Sequence, residues 1–532
     1  MVKLKLNSSY VFLFGIIITV LFFRLGNINF FDGRYLWAED GNIFINQALS
    51  IGIVSILTPY AGYLHLYPRL ITLFAVNLNL VYLPILLFLG WITGVIFSMY
   101  IIFKWLIAQK INTFIAFFII SLILLQPSKG EVFFTITNIQ WFLAIGLIII
   151  IIDQSYKMNI RNTLILIVLG LTGPFSALFL PVLFLNSLIK KDLRDNHLKY
   201  ILIVLTSLVQ IYFMYESKRI SGKIDTNIFD WLKSFYIFFT SGGKGLIAIL
   251  SILISSVVFM YIVKSLYNLY KNNLDNNQIT GLLLIFTSGI VYFAGLWQSK
   301  FPLTLSPMGG GNRYFFVPYA LLVIVLPFLI KNKKILFILF VFIIIIDVGQ
   351  FTKVDRRSLN FESYIWMSKY VPKLIIPINP QWSTYPGWYI HVNNLNRTDA
   401  QQAVLKIKLN LNIVRILNAS KNNNKFISAN NDTQIIFDLP KECRSSKNIG
   451  IEIGLDREQK GWSEIFFRKQ KNHFSINNSL RRFYPAGNVT MQYAFENKDT
   501  YQVRIDPAGK QETIKMKSIL LYCEIKKGRN IL

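Results

Sequence analysis

Two adjacent carboxylates, Glu39 and Asp40, are the residues of this 532-residue chain best suited to accept a proton. They stand in the run Trp37-Ala38-Glu39-Asp40-Gly41, immediately after the first apolar stretch. A carboxylate at the edge of an apolar layer is partly desolvated, which raises its proton affinity and suits a general base toward a hydroxyl group. Residues 42–53 have helical spacing and are predicted to form a helix at the outer membrane surface. An Asp before a helix also satisfies free backbone N–H groups, so an N-cap is the alternative interpretation of Asp40.

The next polar segment, residues 59–69, combines aromatic rings with a histidine and an arginine. Tyrosine rings such as Tyr63 and Tyr67 stack on sugar faces, and they also anchor helices at a membrane surface. His65 is either a functional residue or an ordinary interfacial histidine. Arg69 either extends its charge toward water beside an apolar run or holds a phosphate.

Two later segments also collect polar side chains. The first contains Lys129, Glu131, Asn138 and Gln140. The second is a glycine-rich turn that ends in Asn312, Arg313 and Tyr314 at the start of an apolar run. A helix N-terminus favours an anion and an arginine clamps phosphate oxygens, so Arg313 is a candidate phosphate ligand. The alternative is that Arg313 forms a structural ion pair.

Composition indicates that these segments connect membrane-spanning helices. Hydrophobic residues make up 53% of the chain and charged residues only 15%, against about 25% charged in a typical soluble domain. Apolar runs long enough to cross a hydrocarbon core of ~30 Å recur up to Gln350. About eleven spans are predicted, at 9–26, 82–105, 111–126, 139–155, 162–172, 175–189, 198–215, 245–263, 279–297, 313–330 and 334–350. The fifth and sixth are short and meet at Gly173-Pro174, so two half-helices are an alternative to two crossings.

The net charge of +28 does not indicate nucleic-acid binding. Residues 1–350 hold 26 basic and 12 acidic residues, and residues 351–532 hold 29 and 15, so both parts share the excess. Short cytoplasmic loops retain Lys and Arg. The basic clusters fall on alternate connections, at Lys3/Lys5, Lys104/Lys110, Lys157/Arg161, Lys190/Lys191/Arg194/Lys199, Lys264/Lys271 and Lys331/Lys333/Lys334. This predicts a cytoplasmic N-terminus, a retained first span and an outward position for everything after Gln350.

Beyond Gln350 the chain changes to short alternating strands, which are typical of an antiparallel sandwich. The predicted strands are 403–409, 433–439, 449–454, 464–468, 489–495, 501–505 and 514–525. Residues 351–400 are instead predicted to be an outward linker packed on the membrane domain. The two cysteines, Cys443 and Cys523, both lie in the outer domain, which suggests one disulfide in an oxidising compartment.

Taken together, the outward motifs resemble those of the GT-C class of integral membrane glycosyltransferases. Within that class they most resemble bacterial glucosyltransferases that decorate O-antigen or related surface polysaccharides. The resemblance covers residues 1–390 and rests on Trp37-Ala38-Glu39-Asp40-Gly41, Pro59-Tyr60-Ala61-Gly62-Tyr63-Leu64-His65, Gly130-Glu131 with Thr137-Asn138-Ile139-Gln140-Trp141, Arg313-Tyr314-Phe315-Phe316, and Ile376-Pro377-Ile378-Asn379-Pro380.

The resemblance implies an α-helical polytopic membrane domain at 1–350, the linker at 351–400 and an extracytoplasmic, jelly-roll-like β-sandwich at 401–532. It places the protein in the bacterial inner membrane. The implied donor is a polyprenyl-phosphate-linked hexose such as glucose, and the implied acceptor is a lipid-linked or surface polysaccharide. Other expected partners are membrane lipids, a donor synthase and a flippase, and no nucleic acid. No cofactor is required, and a divalent metal, which some GT-C enzymes use, is not indicated.

The resemblance also implies roles for individual residues in one inverting displacement. Asp40, with Glu39 as the alternative, takes the acceptor proton, and Arg313, helped by Lys129 or Arg69, stabilises the departing phosphate. The expected substrate-binding residues are Trp37, Tyr63, His65, Tyr67, Glu131, Asn138, Gln140, Asn312 and Tyr314.

Three other functions are compatible with parts of this pattern. A flippase or transporter of lipid-linked saccharides predicts polar groups in the middle of the spans, whereas here they collect on outward loops. A polymerase or ligase of lipid-linked chains differs from a single-sugar transferase only in its product. A surface receptor would use Trp462, Tyr484 and Tyr501 as a sugar platform, although aromatic residues in a sandwich are more often core.

Overall fold

The computed structural model describes residues 8–217, 228–271, 275–299, 305–381, 387–393, 404–411, 414–422, 425–428, 432–469, 473–507 and 512–524. Two compact units are distinguished. The helical unit comprises Met1–Ile28, Ile51–Leu73 and Leu87–Asp355, and the sandwich unit comprises Asn29–Ser50, Phe74–Leu86 and Arg356–Leu532. The predicted cytoplasmic residues Lys3 and Lys5 and the predicted strand ends Ala403 and Ile525 lie outside the described residues.

The first part of the chain is helical because its apolar runs of Ile, Leu and Phe are punctuated by capping residues. Asn112, Asn159, Asp275 and Asn332 each accept a hydrogen bond from a backbone N–H of the helix that follows. The helices are α1 (Ser8–Arg24), α2 (Asn46–Ile51), α3 (Leu66–Val76), α4 (Leu83–Ala108), α5 (Thr113–Leu125), α6 (Ile139–Ile152), α7 (Ile160–Gly170), α8 (Phe175–Leu178), α9 (Leu180–Lys190), α10 (His197–Glu216), α11 (Ile228–Phe239), α12 (Leu246–Tyr270), α13 (Asn276–Gln298), α14 (Arg313–Leu329) and α15 (Lys333–Gly349).

Five helical stretches of the described chain are long and apolar enough to cross a membrane. They are Asp40–Leu57, Leu80–Ala108, His197–Glu216, Leu246–Tyr270 and Asn276–Gln298. Shorter apolar helices of 10–17 residues, α1 among them, accompany these five. The apolar and helical character predicted for the first part is therefore confirmed, and the number of eleven crossings stays a prediction.

Among the described residues up to Gln350, α3 and α11 fall where the sequence predicts no helix. The segment 59–69 is not a loop throughout, because α3 begins at Leu66 and places Pro68 in its first turn, where proline loses no helical hydrogen bond. The predicted surface helix over 42–53 is present but irregular. It begins as a π-helical turn at Asp40–Ile45 and ends as a 3-10 helix at Gly52–Leu57.

The predicted fifth and sixth spans correspond to α7, α8 and α9. α7 and α9 have 11 residues each, about 16 Å at 1.5 Å per residue, which is shorter than a hydrocarbon core of ~30 Å. The chain breaks between them at Gly173, whose φ of 81° lies in the left-handed region. These lengths fit the half-helix alternative.

Contacts within the helical unit join loops to which the sequence assigns the same, cytoplasmic side. Lys199 Nζ donates to the Asp153 carbonyl at 2.8 Å, which ties the start of α10 to the end of α6. Lys190 Nζ donates to Thr280 Oγ1 at 3.3 Å, and Lys331 pairs with Asp275 at 2.7 Å. The basic clusters of alternate connections are thus linked in the fold, as the charge pattern predicts for loops on one side.

The C-terminal region consists of antiparallel β-sheets. Its strands are β1 (Lys373–Pro377), β2 (Tyr389–Asn393), β3 (Val404–Lys408), β4 (Arg415–Leu417), β5 (Ala419–Asn422), β6 (Lys425–Ser428), β7 (Gln434–Asp438), β8 (Asn448–Arg457), β9 (Gly461–Arg468), β10 (Ser479–Tyr484), β11 (Gly487–Glu496), β12 (Gln502–Asp506) and β13 (Thr513–Glu524). One sheet has the order β10-β9-β12-β7-β4. The other has the order β11-β8-β13-β6-β5, with β3 also paired to β13.

Both of these sheets contribute to one apolar core. Ile451 of β8 pairs with Tyr493 of β11 and Leu521 of β13, and all three side chains are buried beside Ile465 and Phe437 of the other sheet. The predicted β-sheet region is therefore confirmed, and its assignment as a jelly roll stays a prediction. The sequence misses β10 because an inward position is taken by a charged residue.

That residue is Arg482, which is 9% exposed. Its Nη1 donates to the carbonyls of Ile375 and Gln492 at 3.1 and 3.0 Å. β4, β5 and β6 have only three or four residues each, too few for an alternating pattern to be recognised.

The predicted linker at 351–400 contains regular structure that contacts the sandwich. It holds α16 (Phe361–Ser368) and the β1–β2 hairpin. Tyr364 of α16 donates its hydroxyl to the Gln492 carbonyl at 3.3 Å, and Gln492 Nε2 donates to the Lys373 carbonyl at 2.8 Å. The side chains of Tyr364 and Met367 in α16 are fully covered.

The two cysteines are joined in the structure. Cys443 lies in the short helix α17 (Lys441–Arg444) and Cys523 in β13, and their Cα atoms are 5.2 Å apart. Both residues are buried in the core of the sandwich. The disulfide predicted from the cysteine count closes a loop of 80 residues.

Candidate functional site

Asp40, the predicted general base, belongs to the sandwich unit and is 1% exposed. Its Oδ2 accepts a hydrogen bond from the backbone N–H of Trp37 at 3.2 Å, which lies before the helix. The N-cap position is occupied by Glu39, which makes no side-chain cap bond, and the N-cap interpretation of Asp40 stays a prediction. The carboxylate of Asp40 therefore belongs to the turn 37–40, and the following turn is π-helical, a form often found at functional sites.

The loop that carries Asp40 is held by the segment 376–380, another motif of the family resemblance. The Asn379 carbonyl accepts from Ala38 N at 2.5 Å, and Asn379 Nδ2 donates to the Arg34 carbonyl at 3.2 Å. Gly41 packs so closely on Ile378 and Ile390 that a Cβ there would overlap both. Two motifs more than 330 residues apart in sequence thus form one structure in the sandwich unit.

Trp37 lies beside a cation in the same unit. The Arg356 guanidinium stands over its indole ring, 4.4 Å from the centroid, and Arg356 is 8% exposed. A desolvated cation–π contact of this kind contributes up to about 2 kcal/mol and fixes the ring. The predicted sugar-contacting role of Trp37 is therefore combined with a structural one.

In the helical unit, the two later polar segments meet. Arg313 Nη1 pairs with Glu131 Oε1, and the Glu131 carbonyl accepts from Asn138 Nδ2 at 2.8 Å. Ser128 Oγ donates to Asn312 Oδ1 at 3.1 Å, so the start of α14 is tied to the 128–131 turn at two points. The side chains of Arg313 and Glu131 are 33% and 18% exposed, which leaves the pair accessible.

Aromatic rings extend this arrangement. Trp141 stands edge-on to Tyr314 and Phe175, with ring centroids 5.7 and 5.1 Å apart. The Arg313 guanidinium lies 5.1 Å from the centroid of Tyr314. Glu131, Asn138, Gln140, Trp141, Arg313 and Tyr314 are hereafter called the outer cluster. The sequence predicts five of these six as site residues and includes the sixth, Trp141, in a motif of the resemblance.

Two polar atoms in the outer cluster find no hydrogen-bond partner among the residues that the structure describes. They are the amide oxygen of Gln140 and the indole nitrogen of Trp141, and both are buried. The Gln140 oxygen lies against Gly173, where a Cβ would stand 2.5 Å away from it. Burying a polar atom without a hydrogen-bond partner lowers the stability of the fold by about 1–3 kcal/mol.

The tyrosine and histidine turn is fixed to the break between α7 and α8. Leu66 N donates to the Leu171 carbonyl at 3.0 Å, and Gly173 N donates to the Leu64 carbonyl at 2.9 Å. Gln210 of α10 closes the arrangement because its Oε1 accepts from Leu64 N at 2.8 Å. His65 is 1% exposed and lies 4.7 Å, ring to ring, from Tyr63.

Three further predicted residues, Arg69, Tyr67 and Lys129, make hydrogen bonds to main-chain carbonyls outside the outer cluster. Arg69 is 1% exposed and donates through Nη2 to the Thr58 carbonyl at 2.8 Å, so it braces the preceding turn. The Tyr67 hydroxyl donates to the Gly90 carbonyl of α4 at 2.7 Å. Lys129 is exposed, and its backbone N–H donates to the Pro307 carbonyl at 3.3 Å.

Sequence reasoning missed Arg24 and Gln210 as positioning residues. Arg24 is fully buried and donates to the carbonyls of Leu124 and Gln126 at 2.9 and 2.6 Å, just before the 128–131 turn. The sequence signal for both residues is a polar side chain within an apolar run or at its end. Burial of such a side chain costs free energy unless it finds a hydrogen-bond partner.

The sandwich does not offer the receptor platform in the predicted form. Tyr484 is 7% exposed and belongs to the core. Trp462 is half-buried and packs against Phe483 and Arg481, and Tyr501 lies under Arg444. The three rings therefore serve different local contacts.

Comparison with known proteins does not assign a family. No family model matches the chain, and no curated protein matches it. Among solved structures, the enzymatically active domain of bacteriophage CBA120 tailspike protein 4 is similar over 24% of this chain and 20% of that chain, with 14% identity and a TM-score of 0.13. The match thus spans a fifth of the tailspike domain.

Proposed function

We propose that this protein is a membrane glycosyltransferase of the GT-C type, which moves a hexose from a polyprenyl-phosphate donor to a lipid-linked or surface glycan. The outer cluster is the observation that carries the proposal. It combines an accessible arginine, a carboxylate, an amide and two aromatic rings in the helical unit. The unpartnered polar atoms of Gln140 and Trp141 are suited to hydroxyl groups of a sugar, which both donate and accept hydrogen bonds.

In this proposal Arg313 stabilises the phosphate that leaves with the polyprenyl chain. Arg313 also forms the ion pair with Glu131 that is the alternative to this role, and the proposal assigns the rest of its partly exposed guanidinium to the phosphate. Asp40 is proposed to take the proton from the acceptor hydroxyl as the oxygen attacks the anomeric carbon. One such displacement inverts the anomeric configuration, and the phosphate carries the bonding electrons away.

We assign the outer cluster to the extracytoplasmic side of a bacterial inner membrane. The positive-inside rule places the basic clusters in the cytoplasm. Lysines of these clusters contact one another's loops, and none of these contacts involves the segments that form the outer cluster. A donor built on a lipid would reach this side only after translocation, so a synthase and a flippase are the expected partners.

Transport of a lipid-linked saccharide is supported less well by the structure. Transporters place polar and charged groups near the middle of their helices. Here α13 carries no charged residue, and α10, α12, α14 and α15 carry none in their central turns. The residues of the outer cluster lie instead in the first turns of α6 and α14 and in the segment before α6.

The test compares surface polysaccharide, by mass and linkage analysis, in cells with intact protein, with Asp40→Asn, with Arg313→Gln and with no protein. Loss of a general base costs about 100- to 10,000-fold in rate, and loss of a phosphate-stabilising donor costs about 100- to 1,000-fold. Both variants should therefore lose one side-branch sugar, as the deletion does, while chain length persists.

Asp32→Asn is the matched control for Asp40→Asn. It lies in the same unit, removes the same charge and breaks only the local pair with Arg34 at 2.6 Å. Transfer should survive this change at equal protein level in the membrane. If the polysaccharide is unchanged in Asp40→Asn and lipid-linked precursor accumulates only in the deletion, the protein is a transporter and the transferase proposal is wrong.

A further inference from the structure

A second polar region lies in the helical unit, among the loops to which the sequence assigns a cytoplasmic side. It is a cavity of about 460 Å³ between the last turns of α4, the end of α6 and the start of α7. None of its lining residues takes part in the outer cluster. We refer to it as the basic cavity.

Three cations and one carboxylate line the basic cavity. The cations are Lys104, Lys157 and Arg161, and all three are exposed. None of them forms an ion pair with any residue that the structure describes. The carboxylate of Asp153 is engaged locally, because its Oδ1 accepts from both the backbone N–H and the hydroxyl of Ser155, at 2.9 and 2.7 Å.

The wall of the basic cavity is apolar. Phe97, Ile101, Ile149 and Ile165 line it along α4, α6 and α7. Tyr100, Trp105 and Tyr156 also contribute, and such amphipathic rings are typical of the headgroup level of a membrane. The lining therefore changes from cationic groups to hydrocarbon within one cavity.

Trp105 provides an independent indication of a ligand. Its side chain is 3% exposed, and its indole N–H finds no acceptor among the described residues. The ring is fixed by stacking on Phe328, with centroids 5.1 Å apart. An N–H donor of this kind, in a cavity lined by three unpaired cations, is suited to an anion's oxygen.

We propose that the basic cavity binds an anionic phospholipid of the membrane in which the protein resides. The phosphodiester lies among Lys104, Lys157 and Arg161, with Trp105 as a further donor, and an acyl chain lies along the apolar wall. Basic pockets between membrane helices on the cytoplasmic side bind anionic headgroups in this way. A soluble phosphate would match the cations but would leave the apolar wall uncovered.

The test uses the full-length protein, purified in detergent and reconstituted into nanodiscs of phosphatidylcholine with increasing phosphatidylglycerol. Native mass spectrometry counts the phosphatidylglycerol that stays bound. Lys157→Gln combined with Arg161→Gln should weaken retention roughly 30-fold, the effect of two cations near a membrane surface. Trp105→Phe, which removes the N–H and keeps an aromatic ring of smaller size, should weaken it about threefold to tenfold.

Lys333→Gln combined with Lys334→Gln is the matched control. It removes two exposed lysines from another of the predicted cytoplasmic clusters, outside the cavity lining. Retention should stay within about twofold of the intact protein. Equal losses in the two double variants would overturn the proposal, because general surface charge would then account for binding.

Competition distinguishes a lipid from a soluble anion. Inorganic phosphate at millimolar concentration should leave bound phosphatidylglycerol in place. Complete displacement by phosphate alone would overturn the assignment to a lipid. These outcomes do not depend on whether the protein transfers a sugar.

Discussion

Two buried arginines, Arg24 in the helical unit and Arg457 in the sandwich unit, have different hydrogen-bond partners. In the helical unit, Arg24 is fully buried and its guanidinium donates to the backbone carbonyls of Leu124, Gln126 and, at 3.5 Å, Ser128. In the sandwich unit, Arg457 pairs with Glu512 at 2.8 Å, and each side chain is 1% exposed. The first cation is thus hydrogen-bonded by main chain and the second by a carboxylate.

Secondary structure explains the difference. The last four carbonyls of a helix have no partner within it, and Leu124 stands in the last turn of α5. β8, which carries Arg457, is paired on both sides by β11 and β13, so its carbonyls are used in the ladders. Main-chain carbonyls at the end of a helix can therefore satisfy a buried guanidinium in the helical unit.

Removal of the disulfide should have the largest effect on stability, and the effect should be confined to the sandwich unit. Replacing Cys443 and Cys523 by Ala releases a loop of 80 residues, which costs about 4 kcal/mol through the unfolded chain. Hydrogen–deuterium exchange of the full-length protein should show faster exchange across the sandwich strands, with α4 and α13 unchanged. Equal loss of protection in both units would show that they unfold together.

Glu512→Gln should have the next largest effect. It leaves Arg457 buried without a counter-charge and weakens the bond from Gln459 N to Glu512 Oε2, which is 3.0 Å long. The expected cost is about 3 kcal/mol, measured as exchange protection of β8 and β13. Lys469 and Asp499 provide the control, because their pair is largely exposed and Asp499→Asn should cost less than about 1 kcal/mol.

The contrast would be weakened if Arg457→Met combined with Glu512→Leu were as unstable as Glu512→Gln. Replacing both partners of a buried pair by apolar residues is often neutral. The double variant is therefore expected to recover most of the lost protection.

Arg24→Leu should have a smaller and local effect. Three carbonyls lose their donor, and water near the helix end replaces part of the loss, so about 2 kcal/mol is expected. Faster exchange should be confined to residues 122–131, next to the outer cluster. Arg24→Lys should be intermediate, since an ammonium cannot span the same carbonyls. Unchanged exchange in Arg24→Leu would mean that the 128–131 turn is held by Thr352, which donates to the Ser128 carbonyl at 2.8 Å.

The sequence predicts well what depends on local pattern. Apolar runs locate the long helices, and alternating residues locate β3, β7, β8, β9, β11, β12 and β13. The types of Glu131, Gln140 and Arg313 mark them as site candidates before their contacts are known. Their meeting was not predictable, because it depends on packing between segments up to 182 residues apart.

The same reason explains the misses. The role of Arg24 depends on where α5 ends, and the role of Gln210 depends on the Leu64 backbone, 146 residues away. The fold of residues 361–393 depends on a sheet that the chain forms only later. From sequence alone we expect that burying such a polar side chain costs free energy. Only the fold shows which hydrogen-bond partner offsets that cost.

The smallest expected effect is a pH dependence at the β1–β2 hairpin. Partial burial, and then the charge of Arg482, hold the pKa of His391 below its ordinary value of 6.5. The folded state therefore binds the proton less tightly than the unfolded chain does, so stability that is present above pH 6.5 is lost as the pH falls through the folded pKa.

Exchange of the β1–β2 amides, corrected for the intrinsic rate, should be slightly faster at pH 5 than at pH 7.5, and His391→Gln should remove the difference. The effect should be small because the side chain of His391 is exposed, although the residue lies in the middle of β2, opposite Ile375. His473→Gln, at an exposed position outside the strands, should leave the pH dependence in place. If the pH dependence persists in His391→Gln, another titratable group of the sandwich unit causes it. His391 would then serve only as a ring contact of Tyr389.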